Sequence, residues 1–288
     1  MAITGMISGA FAPVPTPIGR DGAFDEGALG RHLHSLAESG LDGVVVLGSN
    51  GEFPSFTLEE RRRIAVTAAA ARSGLTMILG VGSCAIGEVI EMVDEAARLG
   101  YDAVLCPPPF YFRKPSTRGL VEFYGRVLDA SQVPVLAYHI PHLTGIPIDD
   151  ELLDMIGGHP RLAGVKDSTG DPSELRRLVG RCAGRSYLVG SDRLVLAARE
   201  AGGSGSITAA ASIVPALVVE AARSSHGQEA LARARGLLEE FGLQAAVKAL
   251  LRHRGFGHYG SRPPLVGLEG DPERTAELIR RFEELSPG

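Results

Sequence analysis

Eight short apolar runs, each followed by a longer amphipathic stretch, fill the chain from residue 9 to residue 223. The runs suited to strands lie at 9–14, 43–47, 76–79, 103–106, 134–138, 162–166, 187–189 and 205–208. Apolar residues recur at helical spacing near 25–39, 57–73, 86–99, 117–130, 149–156, 172–180, 192–201 and 213–223. Strands alternating with helices pair in parallel, because the chain must cross over between them. Eight such units predict an α/β fold, the (β/α)8 TIM barrel, and 288 residues is an ordinary length for one. A doubly wound open sheet is the structural alternative, and eight regular units disfavour it. Helix boundary signals agree. Thr57 with Glu60 has the spacing of a capping box, Asp171 precedes Pro172 at a first helical position, and Gly40 and Gly100 stand where helices end.

Strand runs cease at about Ser224. Helices are expected near 227–240, 243–254 and 272–285, with a Gly/Pro/aromatic loop over 255–267 that carries turn chemistry at Pro263-Pro264. The expected division is a barrel domain over 1–223 and a C-terminal helical region over 224–288.

Several partners are disfavoured. The net charge is −5 and no basic residues cluster into a block, so nucleic acid is not expected. The most apolar region, 207–222, is interrupted by Ser212, Pro215 and Glu220, so no membrane span is expected. Cys84, Cys106 and Cys182 are odd in number and far apart, unlike a disulfide framework or a clustered zinc site. The first residues, Met1 to Met6, lack the basic start and apolar core of a leader. A cytoplasmic location is the expectation.

Three polar clusters fall where barrel strands should end, the side on which such folds place their chemistry. Lys166 ends the run Leu162-Ala163-Gly164-Val165-Lys166 and precedes Asp167-Ser168-Thr169-Gly170. Burial disfavours an ammonium relative to the free amine, and a free amine attacks ketones to form Schiff bases. The plainer reading is a strand-end lysine snorkelling to solvent. Tyr138 ends the fifth run, where a phenol beside an amine can relay protons; otherwise it is a core tyrosine bonded to a backbone carbonyl. Gly48-Ser49-Asn50-Gly51-Glu52 follows the second run, with backbone N–H groups suited to a carboxylate, or forms an ordinary turn. Fifth and sixth strands are neighbours in a barrel, so Tyr138 and Lys166 should approach each other. His139 and His142 lack the third ligand and carboxylate of a metal site. Gly80-Val81-Gly82-Ser83 is an incomplete dinucleotide loop.

These residues, together with Pro141, Thr144-Gly145, Gly190-Ser191-Asp192, Gly202-Gly203-Ser204-Gly205-Ser206-Ile207 and Val247-Lys248, carry a resemblance over nearly the whole chain. The sequence resembles the dihydrodipicolinate synthase / N-acetylneuraminate lyase family of class I pyruvate aldolases. The resemblance implies a Schiff base on Lys166 and a proton-relaying phenol on Tyr138. It implies a 2-oxo acid carboxylate held at Ser49, Asn50 and Gly51 and by backbone near Ile207, with Gly190 lining the pocket. Tyr111 matches a tyrosine that family members lend across a dimer interface to complete the relay through Ser49. A homotetramer built as a dimer of dimers is implied, as are a small 2-oxo acid and an aldehyde as reaction partners. No cofactor or metal is implied, because the imine is itself the electrophile.

Two departures narrow the substrate. Dihydrodipicolinate synthases carry an arginine just before Thr-Gly, to hold a dicarboxylic partner, where this chain has Leu143. Leucine cannot make the paired N–H bonds of a guanidinium. Leu58 and Arg61 also stand where the lysine feedback pocket usually has histidines. Ser49-Asn50, Ser168 and Gly255-Phe256-Gly257-His258-Tyr259-Gly260 are more similar to the 4-hydroxy-2-oxoglutarate aldolase branch, with Ser168 at the C4 hydroxyl or distal end of the substrate. The expected reaction is reversible cleavage of a 4-hydroxy-2-oxo acid to pyruvate and an aldehyde. Dihydrodipicolinate synthase, a 2-keto-3-deoxy sugar acid aldolase or dehydratase, a metal-dependent aldolase and a non-catalytic 2-oxo acid-binding barrel are the rival readings.

Overall fold

The computed structural model describes residues 6–285. Residues 1–5, most of the segment read for leader character, and 286–288, the end of the helical region, lie outside the described residues. The chain runs β1 (Gly9–Pro13), α1 (Glu26–Ala37), β2 (Gly43–Val46), α2 (Leu58–Ala70), β3 (Thr76–Gly80), α3 (Ile86–Arg98), β4 (Ala103–Cys106) and α4 (Thr117–Ala130). It continues with β5 (Val135–His139), α5 (Pro141–Thr144), α6 (Asp150–Ile156), β6 (Leu162–Asp167), α7 (Pro172–Arg181), β7 (Ser186–Val189), α8 (Val195–Glu200), β8 (Gly205–Ile207) and α9 (Pro215–Ala221). Three helices follow: α10 (Ser225–Glu240), α11 (Leu243–His253) and α12 (Pro272–Leu285). Every strand pairs in parallel with the next, and β8 returns to β1, so the sheet closes as the expected barrel rather than lying open.

The strands alternate sides as a closed sheet requires. Val45, Ile78, Leu105, Leu136 and Leu188 fill the barrel, while Val44, Val46, Leu79 and Val104 face the surrounding helices. The boundary signals work as read. Thr57 and Glu60 exchange both bonds of a capping box, and Asp171 accepts the Ser173 N–H. Two details differ from expectation. The segment 192–201 splits into a 3-10 turn, Asp192–Leu194, and α8, because the Asp192 carboxylate is drawn to the Ala210 N–H and to Arg235. The short helix α5 is additional; Pro141 opens it and Gly145 closes it at φ 71°.

One irregularity decides where Lys166 points. Strand β6 carries an extra residue opposite β5: Leu162 faces Val135, but Gly164 already faces Leu136. Ala163 points into the barrel, Val165 points outward and Lys166 points inward, beside Tyr138. Regular alternation would put Ala163 and Lys166 on opposite faces, and a one-residue bulge restores them to the same face. Gly164 makes this possible at φ 151°, where a Cβ would meet the Ser186 carbonyl at 1.8 Å. Gly164→Ala is therefore expected to destabilise the fold by about 2–3 kcal/mol through strain and overpacking. Denaturant melts check this, and an unchanged midpoint would remove the glycine requirement.

Candidate active site

Lys166 and Tyr138 are register partners on β6 and β5. The Lys166 Nζ lies 4.2 Å from the centre of the Tyr138 ring. Both side chains are almost fully buried, Lys166 at 4% exposure, so Lys166 does not snorkel. The Tyr138 hydroxyl meets Ser49 Oγ at 3.3 Å and accepts from Ser168 Oγ at 3.4 Å. It meets two hydroxyls, as a relay needs, and not the backbone carbonyl of the plainer reading. Burial pushes the phenol upward, but interaction with Lys166 and with the Ser168 and Ser49 hydroxyls together outweighs it and holds Tyr138 below its ordinary value.

The residues on the outer side of the same strands fix these two. Asp167 accepts the Thr169 N–H and hydroxyl and, at 2.9 Å, the Tyr187 hydroxyl. His139 accepts the Ile148 N–H on Nδ1, so its proton sits on Nε2, which donates to Glu174 at 3.2 Å. Burial lowers the His139 value more than the Asp167 and Glu174 carboxylates raise it.

Ser49 stands in a strained loop. Leu47 and Glu52 bracket it at φ 58° and 54°, the left-handed region that side chains avoid at about 1–2 kcal/mol each. Gly80 lets the first bend form, since a Cβ there would meet the Leu47 carbonyl at 2.0 Å. The second bend is held from the helical region. Lys248 of α11 reaches Glu52 at 2.7 Å and also donates to the Gly260 carbonyl at 2.9 Å. The Lys248 and Glu52 side chains are 2% and 1% exposed.

A cavity of about 90 Å³ lies over this cluster. Lys166, Tyr138, Ser49, Asn50, Ser168, Gly190, Ile207 and Leu143 line it, so eight of the sequence-identified residues meet there. Two do not. Gly51 lies beneath the loop, with its carbonyl accepting the Thr16 hydroxyl at 2.7 Å. Tyr111 is 76% exposed on the loop after β4, away from Tyr138 within one chain. The cavity opens beside a larger, mainly apolar cleft of about 340 Å³ that includes Phe53, Phe110, Ile140, Leu143 and Leu265. Sequence reading missed Arg235, Leu243 and Gln244 in the cavity wall, and treated His142 only as a possible metal ligand. Arg235 sits in Ala-Arg-Ala-Arg on an ordinary amphipathic helix, which carries no local signal. Among the described residues, no three His, Cys, Asp or Glu side chains gather as a metal-binding group, and no helix is long and apolar enough to cross a membrane.

Comparison with known proteins places this geometry in a family. The sequence model of the Dihydrodipicolinate synthetase family matches residues 6–278. A DapA-like lyase of Halobacterium salinarum is 34% identical over 282 residues, which cover 94% of this chain and 92% of that protein. A protein of Emericella nidulans, named a probable mitochondrial 4-hydroxy-2-oxoglutarate aldolase, is 32% identical over 303 residues, covering 99% and 96%. The crystal structure of YagE, a prophage protein of the dihydrodipicolinic acid synthase family from E. coli K12 in complex with pyruvate, superposes with a TM-score of 0.91 at 25% identity, covering 98% and 99%. With its closed barrel and matching family signature from residue 6 to 278, the chain belongs to the dihydrodipicolinate synthetase family and is an enzyme of its lyase and aldolase class.

Proposed function

We propose that the protein is a Schiff-base-forming lyase that cleaves a 4-hydroxy-2-oxo acid reversibly to pyruvate and an aldehyde. The observation that supports this most is the buried Lys166 amine beside a phenol with two hydroxyl partners. The amine adds to the C2 carbonyl, and Tyr138 gives its proton to the departing hydroxyl, which leaves as water; an iminium and a Tyr138 phenolate remain. Tyr138 takes the proton of the C4 hydroxyl as the C3–C4 electron pair moves toward the iminium nitrogen. An aldehyde departs and an enamine remains. A proton returns to C3, and water hydrolyses the imine to pyruvate and free Lys166. Ser49 links Tyr138 outward, and Tyr111 of a second subunit completes the chain to solvent in a dimer-based tetramer. Asn50, Ser49 and the backbone at Ile207 hold the C1 carboxylate. Ser168 contacts the C4 hydroxyl. The barrel over 1–223 supplies this chemistry, and the region 224–288 closes and buttresses the mouth. Leu143, 53% exposed at the cavity wall, offers a carboxylate no donor at the position where dihydrodipicolinate synthases carry arginine, which argues against that reading.

Sodium borohydride with pyruvate is expected to add a reduced pyruvyl group to the peptide containing Lys166, read by mass. Unmodified protein after this treatment would overturn the reading. Product analysis then separates cleavage, which yields pyruvate and an aldehyde, from dehydration, which yields a 2,5-dioxo acid and no pyruvate. Tyr138→Phe is expected to slow turnover by about 10²–10⁴-fold, the usual contribution of a positioned proton donor. Turnover near that of wild type would remove Tyr138 from the relay.

A further inference from the structure

The cavity has a polar wall that the C2–C4 chemistry does not use. Arg235 of α10 reaches it from the helical region, beside His142 and Gln244. From this placement we propose that Arg235 is the residue that reads the distal end of the substrate, by binding a carboxylate there. The proposal rests on the Schiff-base lyase reading and adds the side chain that sets selectivity at that end.

The guanidinium is fixed from behind. Its Nε donates to Glu239 at 2.8 Å and its Nη1 to Asp192 at 2.9 Å. Asp192 is fully buried and also accepts the Ala210 N–H, and Glu239 is shared with Arg193. Gln228 donates to the Asp192 carbonyl and accepts the Leu196 N–H, which staples α10 to the 3-10 turn and α8. Arg235 is thus held in one position with its side chain only 17% exposed. Its Nη2 has no hydrogen-bond partner among the described residues, while both carboxylates that hold it lie outside the cavity lining. The four charges of Arg193, Arg235, Asp192 and Glu239 sum to zero, yet Arg235 is the one presented to the cavity.

The rest of the lining agrees in sign. Among the described residues no Asp or Glu lines the cavity; its basic members are Lys166, Arg235 and His142, and its neutral donors include Asn50 and Gln244. Glu52, which borders the adjoining cleft, is committed to Lys248. Leu243 and Gln244 are also the first residues of α11, whose cap position is Gly242 and has no side chain to satisfy the first-turn N–H groups. An amine that becomes an iminium at one place and a tethered guanidinium at another complement a 2-oxo acid carrying a second carboxylate. A neutral distal end would leave the Arg235 donor desolvated without a partner.

The test uses two ligands of one chain length, 2-oxoglutarate and 2-oxopentanoate, which differ in the distal carboxylate alone. Borohydride trapping at Lys166 of the wild-type protein is expected to half-saturate at a concentration at least about tenfold lower for 2-oxoglutarate, since pairing a charged donor is worth that or more. In Arg235→Gln this preference is expected to vanish, with the 2-oxoglutarate value rising and the 2-oxopentanoate and pyruvate values within about threefold of wild type. Arg235→Lys is expected to recover part of the preference, and it carries the comparison if the glutamine variant melts early. An equal loss for both ligands would show a merely structural Arg235, and a wild-type preference for 2-oxopentanoate would show that the apolar cleft sets specificity. Either outcome overturns the proposal. Pyruvate trapping separates the two layers: if pyruvate labels Lys166 and no carboxylate preference is seen, only the Arg235 assignment falls. If pyruvate fails to label Lys166, the lyase reading falls first.

Discussion

Lys166→Ala is expected to lower turnover by roughly 10⁵-fold or more, as loss of a covalent nucleophile does elsewhere. Nothing else in the cavity substitutes for it. Among the described residues its only other basic side chains are Arg235, which cannot give up its proton, and the His142 imidazole, which forms no stable imine. Lys166→Met refines the experiment because it keeps the length of the stem in a barrel already filled by Leu136 and Leu188. Its melting temperature should stay at or above that of wild type, since a buried amine is exchanged for an apolar group of similar shape. Activity within tenfold of wild type in either variant would end the Schiff-base mechanism. Inactivity accompanied by unfolding in both would instead assign Lys166 to stability.

Lys248→Met is expected to destabilise the protein by about 3–5 kcal/mol at neutral pH, the usual consequence of removing one member of a buried ion pair. Burial pushes Glu52 above its ordinary carboxylate value, against the attraction of Lys248, and pushes Lys248 below its ordinary value, against the attraction of Glu52. Without the ammonium, Glu52 keeps the cost of burial and loses its compensation, so its folded value rises further. A carboxyl whose folded value lies above its unfolded value binds protons more readily in the folded state. The defect should therefore be largest at neutral pH and shrink as the pH falls through the raised folded value toward the unfolded carboxylate range near about 4.3. Glu52→Gln in the Lys248→Met background should recover much of the loss at neutral pH. Denaturant melts at two pH values check both statements, and a small, pH-independent effect would contradict them. Glu52 is also the left-handed residue closing the Ser49 loop, so Lys248→Met should in addition weaken trapping of pyruvate at Lys166.

Much of the site was legible because its carriers lie at strand ends. A run of apolar residues that stops at a phenol or an amine, as at Tyr138 and Lys166, announces a barrel mouth, and neighbouring strands bring the two together. Ser49 was legible for the same reason, as part of the loop after β2. Gly51 shows the limit of that reading. It shares the loop with Ser49 and Asn50, but the turn between Leu47 and Glu52 sends it beneath them toward Thr16. Arg235, Leu243 and Gln244 gave no such signal, because helix periodicity says which face is buried and not what that face covers.

The amino-acid sequence by itself determined the number of units, their alternation and the pairing of an amine with a phenol, since each depends on local periodicity or on neighbouring strands, and its motifs carried the resemblance to the family. Only the tertiary structure decided that Lys166 points inward, because the parity of β6 depends on a bulge at Gly164 whose carbonyl neighbour belongs to β7. It also decided that Glu52 meets Lys248, and that Arg235 reaches the cavity through contacts with Asp192, 43 residues earlier. Such contacts depend on how a closed barrel and its last helices stack in space, and residues far apart in the chain carry no spacing that records their meeting.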